Sequence, residues 1–157
     1  MENNDILRRV RYALDLKNPE MVEIFKLGGV EISKADVVEM LTKVDEEEEQ
    51  DTLKCNNKMM ESFLNGLIVY KRGQQDTNQA PPAPSNEPIN NMLLKKVKIA
   101  LSLTSEDMME IFEEARIHIT KSELGAILRK AGHRNFKECG DKFARNFLKG
   151  LAIKYRG

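Results

Sequence analysis

The chain has 157 residues, 41% of them hydrophobic and 32% charged, with 25 basic and 25 acidic side chains balancing to zero. That length suits one ordinary domain or two small ones, and a neutral total excludes a uniformly charged polyanion binder. No apolar run approaches the roughly 20 residues that span a bilayer, and two cysteines are too few for a disulfide framework. The first residues, MENNDILRRVRY, carry acids and no apolar core, so they predict no secretory leader. The expectation is a cytoplasmic protein with reduced thiols and no membrane association.

In chain order, the first predicted helix places Leu7, Val10, Ala13 and Leu14 at helical spacing, with Ile6 widening the stripe. Arg8, Arg11 and Asp15 fall on the other side, and Asn3 or Asn4 is positioned to cap it. Asn18-Pro19-Glu20 predicts a cap, a first-turn proline and an acid at the start of a second helix, which Gly28-Gly29 stops. Ser33-Lys34-Ala35-Asp36 resembles a capping box opening a third helix through Val37, Val38 and Leu41. A fourth begins near Asn56 and runs to Arg72, with Phe63, Leu64, Leu67 and Ile68 as its apolar face. Before it lies an acidic run, Asp45 to Glu49 with Asp51, which reads as a solvated loop.

The chain then starts again. A shift of 87 residues lays NNDILRRVRYALDL, from Asn3, over NNMLLKKVKIALSL, from Asn90. The same shift lays Pro19–Phe25 over Glu106–Phe112 and Glu31–Lys43 over His118–Lys130. After a shortening of three residues, Cys55 meets Cys139, Phe63 meets Phe147, and Gly66 meets Gly150. Fixed-period similarity of this kind marks a repeated structural unit. The expected fold is therefore all-α: two tandem copies of a four-helix unit, in residues 1–73 and 89–157, related by a pseudo-twofold. Residues 74–88 hold four of the five prolines with the flanking Gly73 and read as a flexible linker. A helical glycine costs about 0.5–1 kcal/mol relative to alanine. Its presence in both fourth helices predicts a close helix crossing at Gly66 and at Gly150.

Charge is unevenly divided. Residues 1–73 hold 11 basic and 15 acidic side chains, whereas residues 88–157 hold 14 and 8. Arg8, Arg9 and Arg11 recur as Lys95, Lys96 and Lys98; Arg129, Arg134 and Lys137 add charge in the second copy, with Lys142, Arg145 and Lys149 beyond them. The first nine of these are the candidate contact residues. The second and third helices, joined at Gly28-Gly29-Val30, also resemble a helix-turn-helix. These features predict a non-catalytic interaction or regulatory protein that meets a protein partner on its basic first helices and the groove between copies. The alternative is a nucleic-acid-binding protein using the same residues.

Chemistry of other kinds finds little support. No phosphate-binding glycine loop, nucleotide fingerprint or nucleophile elbow occurs. The two cysteines and two histidines have spacings that fit no structural zinc class. Cys139 has His133 and Asp141 nearby in sequence, but Cys55 has no matching histidine, so both cysteines read as small buried hydrophobes. Ile119 to Gly132 looks like the exiting half of an EF-hand, yet Arg116 stands where calcium ligands belong. No catalytic residue, cofactor or metal site is expected.

Several residues together resemble one known group: Asn3, Asn4, Asp5, Gly66 and Lys71-Arg72-Gly73 in the first copy, and Asn90, Asn91, Asn135-Phe136, Glu138-Cys139-Gly140-Asp141, Phe147 and Gly150 in the second. In this pattern the chain is similar to the YehS-like bacterial proteins, which carry a tandem domain of unknown function. The resemblance spans nearly the whole chain outside the linker. It implies the tandem plan and no particular activity.

Overall fold

The computed structural model describes residues 1–42, 53–73 and 87–156. Among these the secondary structure is entirely helical: α1 (Asn3–Ala13), α2 (Asn18–Leu27), α3 (Lys34–Leu41), α4 (Asn57–Arg72), α5 (Ile89–Ala100), α6 (Ser105–Glu114), α7 (Lys121–Leu128) and α8 (Asp141–Arg156). The acidic run at 45–51 and most of the expected linker lie outside the described residues.

Sequence repetition appears as repeated local physics. Four helices end in the same cap, with one residue in the left-handed region and the next amide bonding five residues back. Asp15 and Ser102 take φ of 52° and 54° after α1 and α5. Gly29 and Arg116 take 95° and 62° after α2 and α6. The following N–H groups of Leu16, Leu103, Val30 and Ile117 donate to the backbone carbonyls of Arg11, Lys98, Phe25 and Phe112. Ser33 with Asp36, and Thr120 with Glu123, form the expected reciprocal caps of α3 and α7. Thr104 and Asp107 form a third, on α6, that the sequence reading missed.

Two expected caps are corrected. Asn3 and Asn4 do not cap α1, whose N-cap is Glu2. Their side chains reach instead to the segment before α4: Asn3 donates to Cys55 O and Asn57 Oδ1, Asn4 donates to Leu53 O, and Asn4 Oδ1 accepts the Cys55 N–H at 2.8 Å. Asn90 and Asn91 repeat this in the second copy, where Asn91 Oδ1 accepts the Cys139 N–H at 2.8 Å and its amide donates to Ile127 O and Lys137 O. A long-range backbone demand thus outbids the local one. Asn18 lies inside α2, and the cap position belongs to Lys17, whose N–H donates to Glu20.

Each fourth helix crosses the second helix of its own copy where glycine permits it. A Cβ on Gly66 would lie 1.9 Å from Ile24 O, and one on Gly150 would lie 1.8 Å from Ile111 O, an equivalent pair. Phenylalanines fill in beside the crossings, Phe25 against Phe63 at 5.0 Å and Phe112 against Phe147 at 5.6 Å. All four are fully buried, as are Met21, Met40 and Met108.

The copies then exchange partners. α1 packs chiefly on α8, and α5 on α4, so each first helix finds the fourth helix of the other copy. This reciprocity is the pseudo-twofold relation. It merges the two apolar faces into one continuous core, which relieves the marginal burial of a unit of about 70 residues.

Candidate functional site

Pairing across copies creates two equivalent helix–helix faces, and they differ in chemistry. On the first, α1 and α8 run parallel. The Met1 amino group sits 2.7 Å from Asp141 at the start of α8. At the other end, Arg156 donates to Tyr12 O at 2.9 Å and to Asp15 at 3.2 Å, with its guanidinium 4.2 Å from the Tyr12 ring centroid. Met1 and Asn90 together hold the Asp141 carboxyl below its usual range.

Between these fastenings lies an open groove of about 990 Å³. Arg8 and Arg9 line it from α1, and Lys142, Arg145, Lys149 and Arg156 line it from α8. Asp5 is the one carboxylate among its lining residues, shared by Arg8 at 3.4 Å and Arg9 at 3.1 Å. Lys142, Arg145 and Lys149 are exposed and make no ion pair with another described residue. Leu148, Ala152, Ile153 and Tyr12 supply its apolar part. Six cations against one acid, on low-dielectric walls, focus a positive potential along the groove.

The equivalent face between α4 and α5 lacks this character. Glu61 and Asn65 stand where α8 has Arg145 and Lys149. Lys96, the counterpart of Arg9, donates to Asn65 at 2.6 Å and feels the charge of buried Glu61. Burial pushes the Lys96 ammonium below its ordinary pKa. Lys95, the counterpart of Arg8, pairs with Glu87 and lies 5.7 Å from the Phe136 ring centroid. One face is an open cationic groove; the other has turned its cations inward to acids and amides.

The nine basic candidates therefore fall in separate places. Arg8 and Arg9 enter the groove. Arg11 is half-buried, and its Nε has no hydrogen-bond partner among the described residues. Lys95 and Lys96 belong to the α4–α5 face, and Lys98 is half-buried on α5. Arg129, Arg134 and Lys137 are exposed on the connection from α7 to α8. Sequence reasoning counted Lys142, Arg145 and Lys149 only as added charge, and overlooked Asp5, Tyr12 and Arg156 as groove residues. Spacings of three and four on one helix were the available signal for the α8 trio.

Both thiols are buried without a disulfide. Burial raises Cys55 to about 12 and, with Asp141 adding to it, Cys139 to about 11. These groups are neutral near pH 7 and unsuited to nucleophilic work.

Comparison with known proteins agrees with the tandem plan. One family model, described as a protein of unknown function (DUF1456), matches twice, at residues 3–73 and 90–157. A relative described as uncharacterized protein YehS, from Escherichia coli strain K12, is 42% identical over 158 residues, covering 98% of this chain and 96% of the relative. No solved structure matches.

Proposed function

We propose a binding role for this chain, which belongs to the DUF1456 family of proteins of unknown function: a non-catalytic cytoplasmic interaction protein whose contact surface is the α1–α8 groove and whose partner is anionic there. The carrying observation is the groove's six cations against one lining carboxylate. The contrast with α4–α5 supports the reading, because the same fold elsewhere neutralises the matching positions. High thiol pKa values support a role without cysteine chemistry.

Because the chain's formal net charge is zero, retention on a polyanion has to come from a local patch. The test is salt elution from a heparin column. Replacing Arg145 and Lys149 by glutamine lowers the salt needed for elution. Replacing Arg129 and Arg134 by glutamine, an equal change in net charge, leaves it nearly unchanged. Equal losses in both variants, or no retention of the unaltered protein, contradict the reading.

A further inference from the structure

We infer that the α1–α8 groove takes a single strand of nucleic acid, with phosphates on its cationic walls and a base against Tyr12. This rests on the groove being the contact surface and narrows what occupies it. Packed helices lie about 8–10 Å axis to axis, so cations from the two walls converge on one line. A single backbone can follow that line. A duplex, whose major groove alone is about 12 Å wide, cannot enter and would touch only the outermost cations.

The length is also suitable. Lys142 and Arg156 are 14 positions apart, which is about 21 Å along a helix. That is enough for roughly the four-nucleotide lower end of single-strand site sizes. Arginines predominate over lysines among the lining cations, and their planar forks match phosphate oxygens. Tyr12 is 57% exposed although aromatic. Its ring already carries the Arg156 guanidinium, so aromatic and guanidinium planes are both presented to a base. An acidic amphipathic peptide is less well served. Of the groove's apolar residues, Leu148 is buried and Ala152 half-buried, leaving only Tyr12 and Ile153 as exposed anchors.

Fluorescence anisotropy with the full chain tests this. The labelled ligands are oligothymidylate and oligouridylate of roughly 12 nucleotides, a duplex of the same length, and an oligoglutamate of equal charge. The single strands are expected to bind more tightly than the duplex or the peptide. The slope of log affinity against log salt should be about −3 for four phosphates neutralised. The Arg145→Gln/Lys149→Gln variant should reduce that slope by about 1.4. Tyr12→Ala should weaken single-strand binding about tenfold, with circular dichroism and thermal melting confirming that each variant folds. A duplex bound as tightly as the strands, or indifference to Tyr12→Ala, overturns the single-strand inference. Oligoglutamate bound equally well, with the same dependence on Arg145 and Lys149, overturns nucleic acid as the partner while the groove stands. No binding of any polyanion overturns both.

Discussion

Alanine at Gly150 should destabilise the fold although alanine is the better helix former. The substitution gains about 0.5–1 kcal/mol of helix propensity. Against this, the new Cβ would sit 1.8 Å from Ile111 O and 2.8 Å from Ile111 C. These are backbone atoms of α6 and cannot swing aside as a side chain would. An ordinary contact needs more than a further 1.5 Å or so, and that requires separating α8 from α6. Overpacking in a core costs typically about 1–3 kcal/mol, and a backbone clash belongs at the upper end. The net loss is then about 2 kcal/mol or more. With a urea dependence of about 2 kcal/mol per molar, the unfolding midpoint falls by roughly 1 M. Gly125→Ala is the internal control. It lies in α7, has no neighbour within 4 Å of the added Cβ, and should raise stability by about 0.5–1 kcal/mol. Urea unfolding followed by circular dichroism reads both variants. Gly150→Ala as stable as the parent chain, or both substitutions moving the midpoint in one direction, would refute the crossing argument.

Other consequences follow from the repeated parts. Asn91→Ala leaves the Cys139 N–H and the Ile127 and Lys137 carbonyls without their partner. It should cost roughly 3 kcal/mol or more in a denaturant titration, and more than Asn4→Ala. Arg116→Gly relieves a side chain held at φ 62° in a position where the first copy has glycine, and should stabilise by about 1 kcal/mol. A loss on that change would contradict the cap. Folded-state thiol pKa values of about 11 and 12 lie above the unfolded value of about 8.5. Their stabilising contribution is complete below that unfolded value and is lost as pH rises toward the folded ones. Accordingly, native protein at pH 8 should react with a thiol reagent only as fast as it opens. Full labelling within seconds would show that the cysteines are accessible.

How much of this was legible in the sequence depended on the range of the interaction. The glycine crossing could be read because Gly66 and Gly150 break a local preference at matched positions, and only a close contact offsets that cost. Ser33 and Thr120 were legible because their caps involve residues three apart. Asn3 and Asn4 misled because their partners lie tens of residues away, near Cys55, as those of Asn90 and Asn91 lie near Cys139. A side chain with two capping geometries on offer follows the larger unmet backbone demand. The groove was least legible. Self-comparison shows that α1 resembles α5, but not that α1 lies on α8. Only that exchange brings Arg8 and Arg9 beside Lys142, Arg145 and Lys149 while sending Lys96 against Asn65 and Glu61. The basic trios look alike as strings and differ in what the other copy places opposite them.

Mapping backbone amides by nuclear magnetic resonance during titration with a heparin oligosaccharide tests the groove most directly. The account predicts that amides of Arg8, Arg9, Arg145 and Lys149 shift together and saturate with one affinity, while those of Asn65, Lys95 and Lys96 stay in place. Shifts centred on α4 and α5, or on the connection holding Arg129 and Arg134, would contradict it.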